Sequence, residues 1–479
     1  MSLKRQVIKG IRWSVFGSVF TTVVQFAQNL ILAWILTPKE FGLMAMVLVY
    51  IGFFLPIFDL GLSAAIIQKK NITPLQLSTL YWINVLLGVC CFTLIWVTAP
   101  FANLFFSTEI DLATFIRIAG LIFLIAPWGT QFNAILAKSL QFDKQNIISI
   151  ISIGLTFIVA IGLALNNFGV FSLIYSFVFN SVIQTLLNFY FGRAHHIPRF
   201  EFDLGEVKDL LNFGLFQTGT SIVNYLSANI DKIFIGKILG SSALGLYTVV
   251  WNLVLLPLRK INPIVTKIAF PVFSKIHDNK ALVNLYYSNA LTLLMLINFP
   301  ILLFLMLNSY QFLELFYGEK WLGAASTFSI LTIIGLLKTL AHPGGSLLLS
   351  KGRADIGFYW NCLWTFALYC SISLTLSYHS SIKSVALGQL LAGIIFGPLW
   401  HYIVMRYGKV GYLIIGIDMI KLLLFSFPAF GIVYLVNHLE IVNTASLLSV
   451  KIIIFSTAYV LFIFFFFKEK ISNIIKIIK

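Results

Sequence analysis

Long apolar runs separated by short polar segments make up almost the whole chain. The first two runs cover residues 13–36 and 41–68. At about 1.5 Å of helical rise per residue, ~20 residues cross the hydrocarbon core of a bilayer, so each run is long enough to span it. In the short segment between them, Thr37 fits an N-cap, Pro38 the first helical position and Glu40 the third position of a capping box. The pattern predicts a hairpin of two membrane-spanning helices.

The same pattern continues to the end of the chain and predicts fourteen spans. Thr73, Pro74 and Gln76 repeat the N-terminal cap before the third run. The fold class that follows is an all-α polytopic membrane protein. The predicted spans are residues 11–36, 41–68, 76–99, 113–137, 146–165, 170–192, 213–239, 243–267, 283–307, 322–349, 356–376, 385–405, 412–436 and 445–467.

Composition agrees with this interpretation. Of the 479 residues, 59% are hydrophobic and 10% are charged, a balance outside the range of water-soluble folds. The net charge is +16, which could indicate nucleic-acid binding. The Lys and Arg residues lie in short loops between apolar runs, however, and this distribution indicates instead that they set the orientation of the chain in the membrane. With a cytoplasmic N-terminus, the outer loops carry only Lys39, Lys237, Lys320 and Lys383. The charge distribution therefore predicts that both termini are cytoplasmic.

The two halves of the chain carry an internal repeat at an offset of 203 residues. Gly42 recurs as Gly245, and Val47 recurs as Val250. Because six predicted spans separate the copies, both enter the membrane in the same direction, as in one recurrent class of transporters. We expect an N-terminal six-helix lobe at residues 1–200, a C-terminal six-helix lobe at 201–408, and two additional helices with a cytoplasmic tail at 409–479.

The sequence contains no pattern typical of catalysis. It lacks a glycine-rich phosphate loop, a cluster of ligands with metal spacing and a large extramembrane domain. The prediction is a protein without enzymatic activity, cofactor or metal site. A membrane glycosyltransferase or polymerase is a weaker alternative, since such proteins usually have a long outer loop, and the longest here are residues 100–112 and 308–321.

Charged residues at membrane depth are the first candidates for a substrate site, because such positions are costly without a function. Asp59 in the second span and Arg259 and Lys260 in the eighth lie at comparable depth, and we expect them to ring an inner vestibule. Snorkelling to the headgroups is the alternative for the two cations. Asp231 and Lys232 point about 100° apart on one helix, so at least one should face a polar cavity. Lys232 is the strongest candidate for an anion-binding group.

Four further residues complete the predicted substrate-binding set. Lys338 lies near the middle of the tenth span, and Arg117 lies near the outer end of the fourth, where it fits interface anchoring and cavity lining equally well. Gln28 and Asn224 carry amides that can bind sugar hydroxyls or hold helices together. Lys451, near an outer boundary, is instead expected to snorkel.

Five short segments together resemble bacterial polysaccharide flippases of the colanic-acid and O-antigen type, within the multidrug/oligosaccharidyl-lipid/polysaccharide (MOP) exporter superfamily. They are LTPKEFGL at 36–43, FDLGLSAAIIQ at 58–68, IGKILG at 235–240, GEKW at 318–321 and KGR at 351–353. The resemblance implies two six-helix lobes around a cationic central cavity. It also implies alternating-access transport of an undecaprenyl-diphosphate-linked oligosaccharide from the cytoplasmic to the periplasmic leaflet of the inner membrane.

The same resemblance implies the partners. These are the lipid-linked oligosaccharide of exopolysaccharide or lipopolysaccharide biosynthesis, membrane lipids and other polysaccharide assembly proteins, while H⁺ or Na⁺ coupling is left open. The alternative within the superfamily is a cation-coupled multidrug exporter. An exporter of organic cations would need an acidic cavity, whereas bases outnumber acids among the candidates listed above. The balance favours an anionic substrate.

Overall fold

The structure is a computed structural model that describes residues 3–108, 110–276, 278–411, 416–421, 424 and 444–468. At residues 3–16, 264, 267, 268, 444 and 445 it describes the backbone alone. Throughout these ranges, all regular secondary structure is helical. The chain divides into two compact units, Met1–Gly245 and Leu246–Lys479. The expected lobe boundaries near residues 200 and 408 stay predictions.

The first unit holds ten helices among its described residues, and an eleventh begins at its end. A short 3₁₀ turn, Gly205–Val207, precedes the tenth helix. The helices are α1 (Leu3–Ile35), α2 (Pro38–Asp59), α3 (Leu62–Gln68), α4 (Pro74–Phe106), α5 (Leu112–Gly120), α6 (Ile122–Ile125), α7 (Pro127–Lys138), α8 (Phe142–Leu165), α9 (Val170–Gly192), α10 (Lys208–Ile238) and α11 (Gly240–Ile276).

The second unit contains most of α11 and the helices that follow it. A 3₁₀ segment, Glu319–Ala324, joins two of them. The helices that lie entirely within the described residues are α12 (Lys280–Leu307), α13 (Ser309–Tyr317), α14 (Ala325–Ser350), α15 (Ala354–Tyr378), α16 (Ile382–Gly408) and α17 (Thr444–Phe466). Most of the thirteenth predicted span, residues 412–436, lies outside the described residues.

Both predicted capping boxes are confirmed. The Thr37 hydroxyl accepts from the backbone N–H of Glu40, and the Glu40 carboxylate accepts from the backbone N–H of Thr37 at 2.7 Å. Thr73 and Gln76 make the same reciprocal pair, each at 3.2 Å. These bonds satisfy donors that a helix start leaves without intrahelical partners, which explains why α2 and α4 begin where they do.

The prediction of one continuous second span was wrong. Helix α2 ends at Asp59 and α3 begins at Leu62, because Leu60 and Gly61 have left-handed backbones with φ of 43° and 63°. The fourth predicted span is bent by 52° between Ile125 and Pro127, where a proline starts the next helix. Neither break follows from hydrophobic periodicity.

Ten helices in the described ranges are long and apolar enough to cross a membrane, or eleven if the bent pair forms one span. The predicted count of fourteen is therefore not confirmed. Helices α10 and α15 match predicted spans and are long enough, with 31 and 25 residues, but they are not apolar enough to be among these ten. In α10 the polar positions include Asn224, Asp231 and Lys232.

Within the first unit, α1 packs on α8, α8 on α9, and α10 along α2 and α3. A buried cluster joins α3, α4, α7 and α10 through Leu62, Leu80, Ile135 and Leu210. This packing surrounds the C-terminal end of α2, where Asp59 lies.

Within the second unit, α14 packs against α12 and α16, and α15 packs against α16. Tyr287, Leu291 and Met295 form a fully buried stripe on α12 at four-residue spacing, as expected for one helix face. The same cluster includes Leu347 of α14 and Phe462 of α17. These contacts hold α12, α14 and α17 together around one apolar core.

Candidate functional site

Helix α10 carries three of the nine predicted substrate-binding residues, Asn224, Asp231 and Lys232. Asp231 is only 4% exposed, and one of its carboxylate oxygens accepts from the backbone N–H of Lys232 at 2.8 Å. The Lys232 Nζ donates to the Asn229 Oδ1 at 2.9 Å, and the Asn229 amide donates to the Tyr225 carbonyl. An ammonium has three donors, and Asn229 accounts for one of them. Neighbouring polar residues of the same helix thus hold Lys232 in place.

Asp59 lies at the break between α2 and α3 and is half-buried. Its carboxylate accepts from the Ser63 hydroxyl at 2.5 Å, which connects it to the first turn of α3. On α4, the buried Asn84 donates to the Phe58 carbonyl at 3.1 Å. Asp59 is therefore fixed by local contacts within the first unit.

Three further candidates of the first unit have different surroundings. The Arg117 guanidinium lies 5.0 Å from the centre of the Trp96 ring and donates to the Trp96 carbonyl. Trp96 is 47% exposed, and this geometry suits a cation that anchors a helix end at the membrane interface. Gln28 on α1 is half-buried, and Asn224 on α10 is exposed.

In the second unit, the candidate cations lie on α11 and α14. Arg259 is exposed, and Lys260 is half-buried. The Lys338 Nζ lies 5.8 Å from the centre of the Trp251 ring, within the range of a cation–π interaction. An aromatic ring therefore faces the ammonium that the sequence placed near the middle of a span.

A buried polar group next to these cations was not predicted. Asn262, the repeat mate of Asp59, accepts from the Asn298 amide at 2.9 Å, and its backbone is hydrogen-bonded to the His342 ring. Asn298 has no exposed surface, and neither its Oδ1 nor the His342 Nε2 has a hydrogen-bond partner among the described residues. Asn298 could have been noticed in the sequence because apolar residues flank it on α12, and His342 because it lies four residues after Lys338 on α14.

The predicted set is divided between the units. Asp59, Arg117, Asp231, Lys232, Gln28 and Asn224 belong to the first unit, and Arg259, Lys260 and Lys338 belong to the second. Lys232 and Asp231 are adjacent and share a polar environment. The expected vestibule of Asp59, Arg259 and Lys260 combines residues of both units, and its assembly stays a prediction.

The expectation for Lys451 was wrong. Its side chain has no exposed surface, and its Nζ donates to the Asn308 Oδ1 at 3.0 Å. Asn308 follows α12 directly, so the contact ties α17 to the loop between α12 and α13. A buried acceptor replaces the headgroup contact expected from sequence position alone.

Solved structures define the class of protein to which this fold belongs. The chain is similar to the lipid II flippase MurJ in an inward-closed conformation, with a TM-score of 0.79 and 16% identity over 96% of this chain and 100% of that one. An inward-facing multidrug resistance MATE transporter of the MOP superfamily gives a TM-score of 0.64 and 14% identity, over 81% and 96%. The fold is that of MOP superfamily transporters.

Sequence comparison then gives the family. The family described as "Polysaccharide biosynthesis protein" matches residues 31–326, more than half of the chain, and the protein belongs to it. The teichuronic acid biosynthesis protein TuaB of Bacillus subtilis is 36% identical, over 80% of this chain and 81% of its own length. The lipopolysaccharide biosynthesis protein WzxC of Escherichia coli is 34% identical, over 85% and 82%.

Proposed function

We propose that this protein moves an undecaprenyl-diphosphate-linked oligosaccharide, a repeat unit of an exopolysaccharide or O-antigen, from the cytoplasmic to the periplasmic leaflet of the bacterial inner membrane. The observation that carries the proposal is membership of a family whose relatives are named for polysaccharide biosynthesis, on a MOP transporter fold. Relatives are also named for succinoglycan transport and O-antigen transport. The polysaccharides in the names of these relatives differ from one another. The proposal therefore specifies the class of substrate and does not specify the sugars of the repeat unit.

The chemistry of such a substrate suits the polar candidates. A diphosphate sugar headgroup is too polar to cross hydrocarbon without help, so a transporter must offer it a polar, cationic passage. Lys232, on a helix rich in polar residues, is proposed to bind the diphosphate together with Arg259 and Lys260. Lys338, with Trp251 beside it, is proposed as a further cation of the passage, and Gln28 and Asn224 as contacts for sugar hydroxyls. Arg117, which contacts the exposed Trp96, is proposed for the outer end of the pathway.

The transport cycle that we propose is alternating access between two six-helix lobes, with both termini in the cytoplasm. No chemical step and no cofactor are part of it. An outward-moving anion gains about 2.3 kcal/mol per charge per 100 mV of inside-negative potential, so the potential itself can contribute. H⁺ or Na⁺ binding at Asp59 or Asp231 is proposed as a second energy source. Other polysaccharide assembly proteins are proposed to use the flipped lipid.

The test replaces the proposed cations one at a time in cells that lack the native copy. Lys232→Ala and Arg259→Ala should each lower surface polysaccharide about tenfold or more, because one charge-assisted hydrogen bond contributes ~1.5–3 kcal/mol and 1.4 kcal/mol is a factor of ten. Lipid-linked repeat units should accumulate on the cytoplasmic side.

Lys70→Ala is the matched control, since Lys70 is an exposed cation outside the apolar runs. It should leave surface polysaccharide unchanged. Parental polysaccharide levels in both site variants, at equal protein amounts, would contradict the site assignment. A deletion strain with parental surface polysaccharide would contradict the proposed function itself.

A further inference from the structure

Two helix starts contact each other through glycine backbones. A Cβ atom at Gly42 of α2 would lie 1.7 Å from the carbonyl oxygen of Ser241, in the first turn of α11. A Cβ atom at Gly245 of α11 would lie 1.8 Å from the carbonyl oxygen of Pro38, in the first turn of α2. Ordinary carbon–oxygen contacts in proteins are about 3.3 Å or longer. The nearest obstacles are backbone atoms, so this contact requires glycine at both positions.

The contact has the symmetry of the internal repeat. Gly42 and Gly245 occupy equivalent positions, and so do Pro38 and Ser241, at the offset of 203 residues. Each helix therefore presents the same first-turn carbonyl to the glycine of the other. Small residues that allow backbones to approach closely are a common basis of helix association in membranes. We define these four residues as the outer contact, since the predicted topology puts them on the periplasmic side.

A second close backbone contact lies at the opposite end of α2. A Cβ atom at Gly214 of α10 would lie 2.1 Å from the carbonyl oxygen of Leu60, and one at Gly61 would lie 2.8 Å from the Gly214 Cα. We define these three residues as the inner contact. Between the two contacts, the Tyr225 hydroxyl of α10 donates to the Val49 carbonyl at 2.7 Å and lies against Gly52. All of these residues belong to the first compact unit.

Helix α2 is thus held at its outer end by α11 and along its middle and inner parts by α10. A diphosphate sugar headgroup is much wider than the spacing of touching backbones, so it can leave past α11 only if the outer contact separates. It can enter past α10 only if the inner contact separates. Packed interfaces switch between discrete arrangements and do not deform continuously, which suits a two-state element.

We propose that the outer contact and the inner contact are the two latches of the transport cycle, and that glycine at Gly42, Gly245 and Gly214 sets the balance between outward-open and inward-open states. The proposal rests on the alternating access put forward above. A methyl group added to one latch prevents its closure, and the population shifts toward the state in which that latch is open.

Spin-label distances in the purified, reconstituted protein test this without substrate. The background replaces Cys90, Cys91, Cys362 and Cys370 by Ser. One label pair replaces Lys39 and Ser242, exposed repeat mates beside the outer contact, and a second pair replaces Gln68 and Asn212, exposed residues near the inner contact. Gly42→Ala should add a longer population to the outer pair, displaced on the order of 10 Å, about one helix diameter. Gly214→Ala should do the same for the inner pair.

Gly219→Ala is the matched control, because Gly219 also lies on α10 and a Cβ atom there would have no neighbour within 4 Å. It should leave both distances unchanged. If Gly42→Ala does not fold, Gly245→Ala adds the same methyl group against Pro38 and replaces it, and misfolding of both would overturn the proposal. Parental outer distances in folded Gly42→Ala would also overturn it. Failure of the proposed function would leave these distances as predicted, which separates the two outcomes.

Discussion

Among the described residues, the ammonium of Lys451 has one hydrogen-bond acceptor, an amide oxygen that lies far away in sequence. It has no exposed surface, and the Asn308 Oδ1 accepts from it at 3.0 Å. Removing the partner of a buried charge destabilises a protein strongly. Replacing the charged side chain itself by an apolar one often leaves the stability unchanged, because no buried charge then remains. The two residues of this pair should therefore respond differently to substitution.

We predict that Asn308→Leu lowers the free energy of unfolding by about 1.5–3 kcal/mol, the value of a hydrogen bond to a charged group. Lys451→Met, which keeps an unbranched side chain of similar volume and removes the charge, should change it by less than about 1 kcal/mol. Thermal unfolding of both variants in detergent measures the difference. Equal destabilisation by the two substitutions would contradict a role of Asn308 in accommodating the charge.

His196 gives the segment between α9 and α10 a dependence on pH. Its Nε2 lies 3.4 Å from the Ser78 hydroxyl of α4, and burial, followed by the nearby Arg199 charge, lowers the pKa of His196 below its ordinary value of 6.5. As the pH falls, the unfolded state of the protein binds a proton at His196 at a higher pH than the folded state does, and this proton binding favours unfolding. Its contribution to stability is present above about pH 6.5 and is lost as the pH falls below that value.

The intrinsic rate of amide hydrogen exchange slows as the pH falls from 7 to 5. Exchange of residues 193–207 should therefore slow less than the intrinsic rate does, which leaves an excess of exchange that grows toward low pH. His196→Gln should remove the excess. His379→Gln, at an exposed histidine in another loop, should leave it in place. An excess that persists in His196→Gln would assign the effect to another group.

At the scale of helices, α4 packs against the bend between α6 and α7 through a glycine. A Cβ atom at Gly88 would lie 2.3 Å from the Phe123 carbonyl oxygen and 2.5 Å from the Pro127 ring. Gly88→Ala should therefore destabilise the protein by about 1–3 kcal/mol, the usual cost of overpacking. Gly154→Ala on α8, where a Cβ atom would have no neighbour within 4 Å, should stabilise it by up to ~1 kcal/mol. Unfolding midpoints shifted in the same direction would contradict this packing.

Helix starts could be predicted from the sequence because their causes are local. Thr37 and Glu40 lie three residues apart, and their hydrogen bonds need no other part of the chain. The break at Gly61 could not be predicted, because its cause includes the approach of Gly214 from α10. The partner of Lys451 was missed for the same reason, since Asn308 is 143 residues away. The charged candidate residues could be identified from the sequence, but the residues that surround them could be identified only from the structure.

At the scale of the whole molecule, the proposed function requires that a charged headgroup cross the membrane through the protein. The fold is that of MOP transporters, and the family is named for polysaccharide biosynthesis. The polar residues of α10 and the cations of α11 and α14 are the groups proposed to bind the diphosphate. Because the proposed substrate is anionic, its outward movement should respond to the membrane potential.

Translocation in proteoliposomes tests this claim most directly. The purified protein is reconstituted with a fluorescent undecaprenyl-diphosphate disaccharide, and a membrane-impermeant quencher reports the leaflet in which the headgroup lies. We predict protein-dependent transfer between leaflets, accelerated by a potential that is negative on the side of origin and reduced about tenfold or more by Lys232→Ala. Transfer at the rate of protein-free vesicles, with the same preparation folded by thermal unfolding, would contradict the account.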